Sequence, residues 1–183
     1  MRIIIGLTGA SGAIFGSEFL KACPGEKYLI ASRWGKSVLA QETGLTLENL
    51  APYAKKVFSN DDLSSPLASG SNAFDAMVIV PCSASTLSKI ACGIADSLMT
   101  RAASVALKEK RKIIVCLRET PLSTIHIENM LKLSQAGAIV MPISPSYYQE
   151  AQTVGDQARL FVERIVQLID PQNAATGWKQ EAL

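Results

Sequence analysis

Residues 6–13, Gly6-Leu7-Thr8-Gly9-Ala10-Ser11-Gly12-Ala13, stand between an apolar run, Ile3-Ile4-Ile5, and a segment of helical pattern, Ile14-Phe15-Gly16-Ser17-Glu18-Phe19-Leu20. A strand, a glycine-rich turn and a helix make a natural anion site. Glycines let the backbone approach a ligand, and the first N–H groups of the new helix have no partner within it. Thr8 and Ser11 add hydroxyl donors. The spacing Gly-x-x-Gly-x-x-Gly is neither the dinucleotide fingerprint Gly-x-Gly-x-x-Gly nor a P-loop, which needs Gly-Lys-Ser/Thr. Taken alone, the turn admits a second reading, tight packing of helix on strand.

Outward from this turn the chain alternates between the two periods. Lys27-Tyr28-Leu29-Ile30-Ala31 reads as a strand ending at Ser32-Arg33, and residues 34–43 read as a helix with Val38, Leu39 and Glu42 one turn apart. An NAD site wants an acidic residue at the end of this strand; Ser32 and Arg33 speak against NAD, though not against NADP. Lys56-Val57-Phe58-Ser59 reads as a short edge strand. The stretch 60–72 is the longest loop signal, and Ala68-Ser69-Gly70-Ser71 within it suits a lid, an oligomer contact or a flexible linker.

Ala76-Met77-Val78-Ile79-Val80 is apolar throughout, as expected of a central parallel strand buried on both faces. It runs into Pro81-Cys82-Ser83-Ala84-Ser85-Thr86-Leu87, a hydroxyl-rich turn before a helix. Two such turns on one edge of a parallel sheet can hold a phosphate and the planar ring attached to it. A helix over about 97–109 carries Arg101 and Lys108 on one face, either as a phosphate-binding stripe or as a solvated basic face. Ile113-Ile114-Val115-Cys116-Leu117 is the next buried strand. It ends at Arg118-Glu119-Thr120-Pro121-Leu122, whose charged pair is an ion pair or a site element at the same edge. A helix over 123–136 ends at Gly137, Ala138-Ile139-Val140-Met141 makes the last strand, and a helix over about 153–169 carries Arg164. The pattern predicts an α/β fold: a three-layer αβα, Rossmann-like sandwich with a mostly parallel central sheet.

Composition narrows the classes. The chain has 183 residues, 48% of them hydrophobic, and a formal net charge of +2, which suits one soluble globular domain and gives no argument for nucleic acid or an anionic membrane. No apolar run approaches the ~20 residues of a membrane span, and Met-Arg-Ile-Ile-Ile-Gly at the start reads as a strand rather than a signal peptide. The four cysteines, Cys23, Cys82, Cys92 and Cys116, form no Cys-x-x-Cys pair; free thiols in a reducing, cytoplasmic compartment are expected. With His126 as the single histidine, a zinc site or a Ser-His-Asp triad has little to draw on.

Taken in order, Gly9-Ala10-Ser11-Gly12, Ser32, Ala68-Ser69-Gly70-Ser71, Pro81-Cys82-Ser83-Ala84-Ser85-Thr86-Leu87, Arg101-Ala102-Ala103, Leu107-Lys108-Glu109 and Arg118-Glu119-Thr120-Pro121-Leu122 resemble the UbiX-type flavin prenyltransferases. These are relatives of the homo-oligomeric flavin-containing cysteine decarboxylases. The resemblance covers about residues 1–170, taken as a single flavoprotein domain, with 171–183 as a C-terminal tail. It implies prenylation of reduced FMN by dimethylallyl phosphate, joining the prenyl group to flavin N5 and C6, and a product that serves UbiD-type decarboxylases.

On that resemblance, Gly9, Ala10, Ser11, Ser32, Ser83, Ala84, Ser85, Thr86 and Arg118 contact FMN. Tyr148 and Arg164 hold the dimethylallyl phosphate, joined by Arg101 and Lys108 from an adjoining subunit of a trimer-based or dodecameric homo-oligomer. Glu42 and Glu119 lie near the reacting centre, with Ser11 as a relay partner, and Trp178 resembles a tryptophan of the family's tail. Fixed cations then offset the charge of the departing phosphate, so no metal is demanded. The family's usual Phe-Tyr with a following proline is here Tyr147-Tyr148-Gln149-Glu150-Ala151, a departure on the prenyl-phosphate side. The competing readings are an FMN-dependent cysteine-type decarboxylase, a non-enzymatic FMN carrier and an NADP-linked reductase. Cysteine-decarboxylase relatives place a histidine early in the chain, whereas none precedes His126 here.

Overall fold

The fold is a single sheet of six strands: β1 (Arg2–Leu7), β2 (Glu26–Ala31), β3 (Lys56–Ser59), β4 (Ala76–Cys82), β5 (Lys112–Leu117) and β6 (Ile139–Val140). It is seen in a computed structural model that describes residues 1–147 and 151–172. The strand order is β3-β2-β1-β4-β5-β6, and every pairing is parallel. The helices are α1 (Ala13–Ala22), α2 (Arg33–Thr43), α3 (Leu47–Leu50), α4 (Ala84–Ala91), α5 (Leu98–Lys108), α6 (Thr124–Gln135) and α7 (Val154–Ile169). Among the described residues no helix is long and apolar enough to cross a membrane.

Strand periodicity explains the layers. Alternate residues of a strand point to opposite faces, and these strands are apolar at both parities. Ile3, Ile5, Leu7, Val78, Val80 and Ile114 pack under α1, α2 and α7, whereas Ile4, Met77, Ile79, Ile113 and Val115 pack under α4, α5 and α6. β4 is buried along its whole length, as its uninterrupted apolar run predicts. The last helix returns to the first: Phe15 of α1 and Phe161 of α7 meet edge to face, with centroids 5.4 Å apart and planes at 87°.

The chain winds outward from β1 to β3, then returns to lay β4 against the other side of β1. That reversal is the switch point of an open α/β sheet, where ligands bind outside the carboxyl ends of the strands. The β1–α1 and β4–α4 turns flank it. Thr8, 2% exposed, joins them. Its hydroxyl donates to the Pro81 carbonyl at 2.8 Å and accepts the Ser83 amide at 2.7 Å. β4 advances from Ile79 to Cys82 while β5 advances only from Val115 to Leu117, so one extra residue bulges beside Pro81 and re-aims the end of β4.

The long loop after β3 is fastened to the body of the protein, which decides against the linker reading. Asn60 accepts the Leu98 amide on its carbonyl at 2.7 Å and the Met99 amide on Oδ1 at 3.1 Å. Arg101 Nε donates to Ala68 O at 3.0 Å, Arg111 donates to the Gly70 and Asn72 carbonyls, and its guanidinium lies 4.5 Å from the Phe74 ring centroid. All four cysteines are free. Cys23, Cys82 and Cys116 are buried, and desolvation raises their thiol pKa values, that of Cys23 to about 12.

Candidate active site

Two cavities lie along the carboxyl edge, on either side of the 9–12 turn. The first, of about 410 Å³, is lined by Gly9, Ser32, Ser83, Ser85 and Thr86, with Trp34, Asn60, Asp61, Lys89, Asp96, Ser97, Met99 and Thr100 completing it. Three serines that line it are helix N-caps: Ser32 accepts the Gly35 amide, Ser83 the Thr86 amide and Ser97 the Thr100 amide. The first amides of α5 are largely engaged by Asn60 and Ser97. Of the three helix starts at this cavity, those of α2 and α4 are the ones placed to offer backbone amides to an anion.

Glycine is required where α2 passes the turn. A Cβ on Gly9 would collide with the Cβ of Trp34, and one on Gly35 with the Leu7 carbonyl oxygen. The backbones thus close to a distance that side chains forbid, and Trp34 is left 66% exposed on the cavity wall with the Arg33 guanidinium 5.6 Å from its ring centroid.

The second cavity, of about 640 Å³, is lined by Ser11, Gly12, Ile14, Phe15, Glu42, Arg118, Ile143, Pro145, Val154 and Gln157. One wall is apolar and the other charged. Gly12, at φ +100°, turns the chain into α1 in a conformation that L side chains rarely adopt. It cannot cap the helix with a side chain, and Glu42 does so from α2. Glu42 Oε2 accepts the Gly12 and Ala13 amides, each at 2.8 Å, and the carboxylate also accepts the Ser11 hydroxyl. Partial burial pushes the Glu42 carboxyl upward, but the Ser11 hydroxyl, the two amides and the Arg118 charge outweigh it and hold the pKa below the ordinary value. Arg118 Nε donates to the Ser11 carbonyl at 3.2 Å, and its own amide donates to Cys82 O at 3.0 Å, so it bridges the two turns. Glu119 follows it, exposed, with Oε1 accepting the Thr120 amide at 3.0 Å.

The structure therefore gathers Gly9, Ser32, Ser83, Ser85 and Thr86 at one cavity and Ser11, Glu42 and Arg118 at the other. Ala10 and Ala84 belong to the same two turns, Ala10 buried. Arg101 and Lys108 share a helix face as expected, but it faces the 68–70 loop: Arg101 bonds Ala68, and Lys108 pairs with Glu109 beside Gly70. Arg164 lies on the exposed side of α7, donating to Gln167 at 2.9 Å. Val154, at the cavity, is roughly 15 Å away along the helix axis. Tyr148, Trp178 and most of the expected tail lie outside the described residues. Sequence reading missed Trp34, Asn60, Lys89 and Ser97. Ser97-Leu98-Met99-Thr100 carried a capping signal, since the Ser97 and Thr100 side chains cap each other's amides.

A cavity ringed by hydroxyls and helix starts beside one with an apolar wall and a carboxylate–guanidinium pair suits a phosphorylated planar ligand, and comparison with known proteins agrees. The profile of the Flavoprotein family matches residues 1–173. The flavin prenyltransferase UbiX of Thermoplasma acidophilum is 46% identical over 170 residues, 92% of this chain and 94% of that protein. The chain belongs to the UbiX flavin prenyltransferases. The family's member from Pseudomonas aeruginosa is 39% identical over 200 residues, covering 100% of this chain and 96% of its own.

Among solved structures of the family, AnUbiX (PadA1) in complex with FMN and dimethylallyl pyrophosphate superposes with a TM-score of 0.92 at 37% identity, covering 97% of this chain and 98% of that one. A dodecameric FMN-dependent UbiX-like decarboxylase from Escherichia coli O157:H7 gives 0.89 at 40% identity, covering 92% and 94%. The FMN-dependent cysteine decarboxylase TvaF, 19% identical with a TM-score of 0.67, shares the fold alone.

Proposed function

We propose that this chain binds FMN across the two cavities and joins a dimethylallyl group from dimethylallyl phosphate to N5 and C6 of the reduced flavin. The observation that carries the reading is the Ser11–Glu42–Arg118 constellation on the far side of the glycine turn from the hydroxyl-lined cavity. The fit is chemical. The 410 Å³ cavity offers hydroxyls and helix starts to a phosphate, and Ile14, Phe15, Ile143 and Pro145 give the other an apolar wall for a ring. Reduced FMN supplies the nucleophilic positions.

The residues divide the remaining work. Arg118, fixed by Ser11 O, offers a guanidinium to the phosphate as its charge develops. Glu119, next to Arg118 at the same strand end, is a relay partner for the proton that reaches that phosphate. Ser11 relays the proton leaving the flavin toward Glu42, whose carboxylate accepts the Ser11 hydroxyl. Tyr148 and Arg164 hold the dimethylallyl phosphate, joined by Arg101 and Lys108 from an adjoining subunit of a cytoplasmic homo-oligomer, and the product passes to a UbiD-type decarboxylase.

A spectral titration tests the reading. FMN-loaded protein, reduced without oxygen and mixed with dimethylallyl phosphate, is expected to change its flavin absorbance from that of reduced FMN. A spectrum that stays that of reduced FMN contradicts it.

A further inference from the structure

The hydroxyl-lined cavity contains a charge that the flavin reading does not use. Lys89 lies four residues beyond Ser85 and three beyond Thr86 in α4, so its side chain shares their helix face and lines the same cavity. Its Nζ is 2.6 Å from Oδ2 of Asp96, which stands immediately before the Ser97 cap of α5. Among the described residues lining this cavity, Lys89 is the one cation, against two carboxylates, Asp61 and Asp96. An anion entering such a space meets net repulsion from side chains unless the lysine turns to it.

The pair itself does little for stability. Its side chains are 44% and 49% exposed, and ion pairs at that exposure are screened and contribute little. A bond so easily exchanged suits a cation that is handed over. Asp96 also accepts the Thr100 hydroxyl on Oδ1 at 3.4 Å, so it keeps a partner when the lysine leaves.

We propose that Lys89 is a phosphate-positioning residue that makes this cavity select FMN over riboflavin, with Asp96 holding the ammonium at the rim until a phosphate enters. The inference rests on the reading of this cavity as the phosphate arm of the flavin site. It names a specificity determinant within that arm, at a position where sequence alone shows an ordinary helix lysine.

The test uses flavin-free full-length protein titrated with FMN and with riboflavin, following the quenching of flavin fluorescence. Lys89→Gln should weaken FMN binding about tenfold, the worth of one charge-assisted hydrogen bond, and leave riboflavin binding unchanged. Asp96→Asn, which frees the lysine, should hold FMN affinity at or above the wild-type level. Unchanged FMN binding in Lys89→Gln, an equal loss for both flavins, or a loss in Asp96→Asn matching that of Lys89→Gln overturns the inference and leaves the flavin reading standing. Wild-type protein that binds neither flavin removes the flavin reading, and this inference with it.

Discussion

Replacing Thr8 by valine keeps the shape of the side chain and removes the hydroxyl that joins the two ligand-binding turns. In the native protein that hydroxyl makes a 2.8 Å bond to Pro81 O and a 2.7 Å bond from the Ser83 amide. The variant leaves Pro81 O with the longer bond from the Thr8 amide, 3.3 Å, and takes the side-chain acceptor from Ser83 N–H. Stranding a fully buried donor costs about 1–3 kcal/mol, an upper bound for this part-buried bond. The added methyl returns about 0.8 kcal/mol at a site that is 2% exposed. The net loss is then about 0.2–2 kcal/mol, a fall in thermal midpoint of up to about 8 °C for a chain of this size. Because Ser83 opens α4 at the hydroxyl-lined cavity, FMN affinity should fall with stability, whereas Thr8→Ser should retain most of both. Circular dichroism melts at fixed protein concentration, paired with FMN titrations, measure the two effects. A valine variant with native midpoint and native affinity refutes the claim that Thr8 sets the spacing of the turns.

Other expectations follow from the same geometry. Glu119→Gln should retain FMN yet lose prenylation, and an unchanged rate under anaerobic turnover removes Glu119 from the chemistry. Ser11→Ala should slow turnover more than it weakens FMN binding; loss of flavin with normal turnover at saturation assigns the hydroxyl to binding alone. Gly9→Ala should weaken FMN binding by driving Trp34 and the start of α2 away from the turn, a change visible in tryptophan emission. Glu42 sets a pH dependence. Its folded pKa is depressed below 4.5, so its stabilisation of α1 is complete above that value and disappears as pH falls through the folded pKa. Being largely solvent-exposed, it contributes under about 1 kcal/mol. Wild type and Glu42→Gln should therefore differ in midpoint near neutral pH and converge in acid, and a constant difference across that range contradicts the assignment.

The sheet was legible because its strands are buried on both faces: Ile3-Ile4-Ile5, Ala76–Val80 and Ile113–Leu117 admit no amphipathic alternative, and each ends in a turn rich in glycine, hydroxyls or charge. Parallel strands put those turns on one edge, which is why Ser11, Ser83 and Arg118 could be grouped before their distances were known. What stayed hidden depends on contacts between distant elements. Glu42 read as one more residue in a helical period, yet it caps a helix thirty residues upstream, because Gly12 has no side chain to do so. Helical spacing placed Arg101 and Lys108 on one face without showing that Ala68 and Gly70 lie against it. The wall built from Asn60, Lys89 and Ser97 comes from a loop, a helix and the cap of another helix, and no local pattern links them.

The central claim is decided by the mass of the flavin. Protein, reduced FMN and dimethylallyl phosphate are incubated without oxygen, the flavin is extracted, and its mass spectrum is compared with that from a reaction lacking protein. The account predicts FMN heavier by one dimethylallyl unit, formed only with protein present. Recovery of unmodified FMN alone, while another flavin prenyltransferase succeeds alongside, contradicts it.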